Sequence, residues 1–204
     1  TFGLALSLFL PGNPTRAYKS FSRLPAKPFH PGDAAAVLGA MTAVEEGMQG
    51  RVLDANITVY DLPSTLGNKV QTYWRDRVIP ITGATLCTDP EDESHNKVWY
   101  KVGEEGYAHS GSIQPVRTMH NPVQDEIPEG GVLAEVTVPF TDARWKLGPN
   151  EPVAYRFYYQ TTYWVIRTVH DSNGEPWYVI LDDKWEYIFY APAPHLRIFP
   201  VEEI

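Results

Sequence analysis

Val98-Trp99-Tyr100-Lys101-Val102 and its later echo, Trp177-Tyr178-Val179-Ile180, decide how this chain is read. Both are short runs of aromatic and β-branched residues built on a Trp-Tyr pair, a composition that fits a pleated, half-buried strand better than a helix. Working outward from each pair, the flanking runs recur in the same order. The first set is Ile57-Thr58-Val59-Tyr60, Val70-Gln71-Thr72-Tyr73-Trp74, Val78-Ile79-Pro80-Ile81, the Trp99 run itself, and Gly106-Tyr107-Ala108-His109-Ser110-Gly111, ending near Val116. The second is Val136-Thr137-Val138, Val153-Ala154-Tyr155-Arg156-Phe157, Tyr163-Trp164-Val165-Ile166, the Trp177 run, and Trp185-Glu186-Tyr187-Ile188, ending at His195-Leu196-Arg197-Ile198. Five short strands laid down twice predict two small barrels of about 65 to 70 residues each. Asn121 to Gly131 lies between them, with Pro122 and Pro128 inside it and Gly130-Gly131 at its exit, and reads as an inter-domain connection.

Composition agrees with this and removes several functions. Of the 26 aromatic residues, 15 follow Gly130, so the last third of the chain must form an aromatic-rich unit. A net charge of -8 with no Lys/Arg cluster along the sequence argues against a nucleic-acid partner. The single cysteine, Cys87, excludes an internal disulfide and a cysteine-based metal knot. Leu4 to Leu10 is apolar but far too short to span a bilayer, and reads as the tail of a signal-peptide core or as an ordinary buried strand or helical turn. Five prolines between Pro11 and Pro31 predict an extended linker, after which Asp33 is placed to cap a short helix with Val37, Met41, Val44 and Met48 on one face. The expected organisation is a signal remnant and Pro-rich linker over 1–50, one repeat over 51–120, a connection over 121–131 and a second repeat over 132–204.

The motifs resemble those of bacterial SH3-like domains. Val59-Tyr60-Asp61-Leu62-Pro63-Ser64 is similar to the opening strand and turn of that family, Val98 to Val102 to its Trp-Tyr strand, and Gly106-Tyr107-Ala108-His109-Ser110 to its closing segment. The resemblance covers roughly Arg51 to Pro200. It implies an all-β fold of two consecutive small SH3-like barrels preceded by a Pro-rich, largely irregular segment. More narrowly, the tandem looks like the region that precedes the catalytic domain in some L,D-transpeptidases of cell-wall metabolism. That implies an extracytoplasmic, non-catalytic accessory region whose partner is peptidoglycan or a downstream catalytic domain of the same chain, or else a structural spacer without a ligand. No cofactor or metal is implied.

The catalytic signature implied by that resemblance, Ser-x-Gly-Cys-x-Arg, does not occur here. Cys87 sits in Ala84-Thr85-Leu86-Cys87-Thr88-Asp89, next to Glu91, Asp92 and Glu93, and such acids raise a thiol pKa and so disfavour the reactive thiolate. His30, His95, His109, His120, His170 and His195 are scattered without metal-ligand spacing. The acidic run Asp89 to Glu93 reads as a solvated turn, and Glu104-Glu105-Gly106 and Asp182-Asp183-Lys184 read as hairpin turns. The aromatic residues are the remaining signal. Strand alternation predicts that each Trp-Tyr pair sends one ring into the core and one out, and outward rings suit glycan or peptide contact. The candidate ligand-binding residues are Trp74, Trp99, Tyr107, His109, Tyr163, Trp164, Trp177 and Tyr187.

Overall fold

The computed structural model describes residues 44–87, 89–182, 184, 186–200 and 203. Strands β1 (Gln49–Val52), β2 (Asn56–Tyr60), β3 (Lys69–Trp74), β4 (Val78–Leu86), β5 (Val98–Val102), β6 (Gly106–His109) and β7 (Ile113–Val116) form one antiparallel sheet in the order β3-β2-β6-β5-β4-β1-β7. Strands β8 (Val132–Val136), β9 (Phe140–Arg144), β10 (Val153–Tyr158), β11 (Thr162–His170), β12 (Pro176–Asp182), β13 (Tyr187–Pro192) and β14 (Leu196–Ile198) form a second in the equivalent order β10-β9-β13-β12-β11-β8-β14. A single 3-10 turn precedes the last strand of each, Ser110–Ser112 and Ala193–His195. The chain is therefore all-β and built twice from one plan, with seven strands in each sheet where the sequence suggested five.

The nine-residue strands β4 and β11 explain how so few residues enclose a core. Pairing shifts between Ile81 and Gly83 in one and between Val165 and Arg167 in the other. Each shift bends its strand, so that the first half pairs with β1 or β8 and the second half with β5 or β12. The first core gathers Val52, Ile57, Val59, Ile79, Ile81, Val102, Ala108 and Ile113. The second is larger and richer in rings, centred on Phe157, Val165, Tyr178, Ile180, Phe189 and Leu196.

Equivalent turns fix the correspondence between the halves and correct the alignment read from sequence. Asp76 and Gln160 both adopt φ 63°, and their amides donate to the carbonyls of Val52 and Val136. Val132–Val136 is thus the counterpart of β1, and the counterpart of β2 is β9, not Val136 to Val138. The expected signal remnant and Pro-rich linker lie outside the described residues, as does most of the helix expected after Asp33. At the described end of that helix Glu45 to Met48 is instead a turn, with Gly47 at φ 78°, and Val44 and Met48 pack on the first core. No helix among the described residues is long and apolar enough to cross a membrane.

The connection before the second sheet is a strap laid across it. The Met119 amide donates to the Thr137 carbonyl at 2.9 Å, the Asn121 amide to the Pro194 carbonyl at 2.9 Å, and the Gln124 amide to the Tyr178 hydroxyl at 3.0 Å. Val123 and Ile127 pack on the second core. The second Trp-Tyr pair sends its rings to opposite faces, but the outward ring is not open to solvent as expected: Tyr178 is 0% exposed and Trp177 4%. Tyr178 faces the core with its hydroxyl covered by the strap, while Trp177, on the opposite face, hydrogen-bonds to the Asp171 carboxylate.

The strap also brings His120 to 5.4 Å from His195, ring to ring, and Thr141 Oγ1 lies 2.8 Å from His195 Nδ1. Burial first, and then the neighbouring His120 charge, lower the His195 pKa from its ordinary 6.5. Below pH 6.5 the unfolded chain binds this proton more readily than the folded one, so stability present above that pH falls as the solution is acidified. Urea midpoints measured from pH 7.5 to 5 should drop more steeply in the native protein than in His195→Gln. Parallel curves would remove His195 from the account.

The two barrels meet at a shared carboxylate. Asp76, in the β3–β4 turn, accepts from Arg51 Nη1 at 2.7 Å within its own barrel and from Arg156 Nη1 of the second barrel at 3.0 Å. Arg51 also donates to Gln114 Oε1 at 2.7 Å, and its guanidinium stacks 4.1 Å over the ring of Tyr158 from the second barrel. Arg156 is held in turn by Asp142 at 2.8 Å and lies 4.2 Å over the Phe140 ring.

Candidate functional site

Alternation along β10 sends Tyr155 and Phe157 to one face, and β11 brings Tyr163 onto Phe157 in a parallel stack with centroids 3.6 Å apart. Together with Ile180 and Phe189, the stack floors an open cleft of about 650 Å³ on the second barrel, walled by Tyr155 and Trp164 and edged by Arg156, Thr162 and Asp182. Phe189, buried at 2%, anchors a wider group of rings, with Trp145 and Tyr155 each 5.1 Å away and Tyr187 at 6.5 Å. Tyr155, Tyr187, Trp145 and Trp164 are 51, 48, 44 and 40% exposed, so these rings rest on a packed base and still present area to solvent.

Trp164 is held as a wall by the strap. Its Nε1 donates to the Gly130 carbonyl at 2.7 Å. The next residue, Gly131, adopts φ 86°, and a Cβ there would fall 2.5 Å from Trp164 Nε1 and 2.7 Å from the Val165 carbonyl oxygen, so only glycine fits. Burial raises the Tyr163 pKa, keeping a neutral phenol in the cleft. The arrangement offers flat apolar faces with polar edges, suited to binding a sugar ring or a short peptide.

The eight residues singled out in the sequence do not form one site. Tyr163 and Trp164 share the cleft, with Tyr187 in the ring group beside it. Trp99 and His109 meet in a second, smaller cleft of about 230 Å³ on the first barrel, lined also by Tyr60 and Thr65. Trp99 is itself buried at 3%, edge-on to both Tyr60 and His109, and its Nε1 has no hydrogen-bond partner. His109 caps the 3-10 turn: its Nδ1 accepts from the Gly111 amide at 3.3 Å and its Nε2 lies 2.8 Å from the Asn96 carbonyl, which places the proton on Nε2. Tyr107 sits on β6, paired with Tyr60. Trp74, 67% exposed, stands at the junction between the barrels, and Trp177 is buried and lines neither of these two clefts.

Nothing in the described residues activates Cys87. Burial first, with the side chains of Asp92 and Asp89 adding to it, pushes its thiol up from the ordinary value. The acidic run forms Asx turns, in which Asp89 accepts from the Glu91 amide and Asp92 from the Ser94 amide. Those bonds hold the Asp92 carboxyl down at about 2. Among the described residues no group of three or more His, Cys, Asp or Glu is placed to hold a metal ion.

Sequence reasoning missed Trp145, Tyr155, Phe157 and Phe189. The i, i+2 spacing of Tyr155 and Phe157 was a usable signal, whereas Trp145 and Phe189 join them only through the pairing of β9 with β13.

No protein-family model matches the chain, and no curated protein does. Among solved structures, NlpC2 and NlpC1 from Trichomonas vaginalis each match with 11% identity and a TM-score of 0.26, covering 78% of this chain and 49% of theirs. The chain thus spans about half the length of those two proteins. The endolysin LysPBC5 CBD matches with 11% identity and a TM-score of 0.25, covering 74% of this chain and 93% of that one.

Proposed function

We propose that this chain is a non-catalytic binding region of a bacterial cell-envelope protein, exported from the cytoplasm, that takes peptidoglycan into the aromatic cleft of its second barrel. In doing so it positions or regulates an L,D-transpeptidase-type cross-linking enzyme. The observation that carries this reading is that Tyr155 and Trp164, the walls of the cleft, remain 51 and 40% exposed, with Tyr187 and Trp145 open beside them, although the other barrel is docked nearby. A spacer without a ligand would bury such rings between its repeats. The motif resemblance set out from the sequence supplies the cell-wall context and the enzyme class.

The test is co-sedimentation with purified peptidoglycan sacculi. Tyr155→Ala combined with Trp164→Ala removes two exposed walls while leaving the Phe157–Tyr163 stack in place, and retention should fall roughly tenfold or more, since aromatic anchors dominate such contacts. Absence of retention of the unmutated protein would leave docking on a catalytic domain, or spacing, as the explanation.

A further inference from the structure

The chain is acidic overall and carries no basic run in its sequence, yet the fold assembles a cationic groove where the barrels meet. Its volume is about 540 Å³, and its lining includes Arg75, Arg77 and Arg156 against a single carboxylate, Asp76. That carboxylate is engaged twice, by Arg51 and by Arg156, and Arg156 is engaged further by Asp142. Arg75 and Arg77 make no ion pair among the described residues. They are exposed, they flank Asp76 on the same turn, and Trp74 stands beside them with 67% of its surface open. The Tyr73 hydroxyl on the wall donates to the Glu105 carboxylate, an acidic group behind the wall that is not part of the lining.

We infer that this groove is a second binding site, sharing only Arg156 with the aromatic cleft, and that it takes a short acidic peptide segment. Two uncommitted guanidiniums form forks that match carboxylates in bidentate geometry, and an adjacent open indole gives the peptide's apolar part a face to lie on. A long polyanion fits worse. Its affinity depends on many phosphate contacts, whereas this groove offers two free cations on a protein of net charge -8. Docking of the barrels creates the site, because Phe140 and Arg156 of the second complete what the β3–β4 turn of the first begins.

The experiment titrates the whole chain with the tetrapeptide Ala-Glu-Glu-Ala, carrying a free C-terminus, and in parallel with its uncharged counterpart Ala-Gln-Gln-Ala-amide. Two-dimensional NMR follows the tryptophan indole signals and gives the affinity. The acidic peptide should shift the Trp74 indole and bind at least tenfold more tightly than the neutral one. The doubly substituted Arg75→Ala, Arg77→Ala protein, whose changes lie on exposed side chains, should lose that preference with an unaltered thermal melt. Equal binding of the two peptides, a preference unaffected by the double substitution, or tight binding of inorganic polyphosphate with none of the acidic peptide would overturn the inference.

Discussion

Asp76→Asn should cost the first barrel about 3 kcal/mol and set the two barrels tumbling separately. The argument rests on what the substitution leaves behind. Arg51 is 7% exposed, and removing the one carboxylate that faces it strands a guanidinium in the junction with only Gln114 and the Tyr158 ring for company. Breaking a buried pair from one side is far costlier than the pair's net contribution suggests, because the remaining charge loses its compensation. Asparagine is the informative replacement because it tolerates the left-handed φ of 63° that alanine would resist, so backbone strain does not confuse the result. Arg156→Ala should cost much less, since its side chain is 36% exposed and water replaces the lost contact. Urea unfolding measures the first effect, and small-angle scattering, through an increased radius of gyration, the second. An unchanged melt and scattering curve would sink the shared carboxylate as the clasp.

Phe189→Ala should remove about 4 kcal/mol from the second barrel and erase the cleft with it. The ring is 2% exposed at the centre of the core, and truncating a buried phenylalanine leaves a void that neighbours fill only in part. One of those neighbours is also a wall of the cleft: Tyr155 rests on Phe189 at 5.1 Å, and Trp145 packs beside it at the same distance. With no base beneath them they should lose their fixed orientation. The loss would appear as a lower urea midpoint with a weakened near-ultraviolet dichroism signal and reduced sacculus retention at a temperature where the barrel is still folded. Retention of the full dichroism signal would show that the exposed rings are held by something other than Phe189.

The strands rich in aromatic and β-branched residues were legible in the sequence: β2, β5, β10 and β12 fall where the runs around Ile57, Trp99, Tyr155 and Trp177 put them. Those that escaped lack that composition for physical reasons. Strand β1 is only Gln-Gly-Arg-Val, and its Gly50 sits where a Cβ would strike Ile113. Strand β7 did not escape, since the restart at Ile113 after the His-Ser-Gly turn reads as a last barrel strand interrupted by one helical turn. Strand β9 holds Asp142 and Arg144, whose charges suit a rim more than a core. The full burial of Tyr178 was invisible because its hydroxyl is covered by a connection that looked like plain linker. Only the folded chain has Val123 and Ile127 on the core and Gln124 over the Tyr178 hydroxyl. The candidate site was half legible for the same reason. Tyr163 and Trp164 announce themselves as neighbours in sequence, but the base that makes their wall a cleft comes from β10, β12 and β13.

In each barrel the opening strand lies between the fourth strand and the last, so Gln49 pairs with Val116 and Val136 with Leu196. Such long-range pairing means high contact order, and it gives synthesis a fixed timetable. Neither barrel can close until its final strand has left the ribosome, by which point β1 has already waited through most of its own repeat. Its uncovered edge is then the segment most open to mispairing, and the first barrel should reach its native form as a unit before β8 has found its partner.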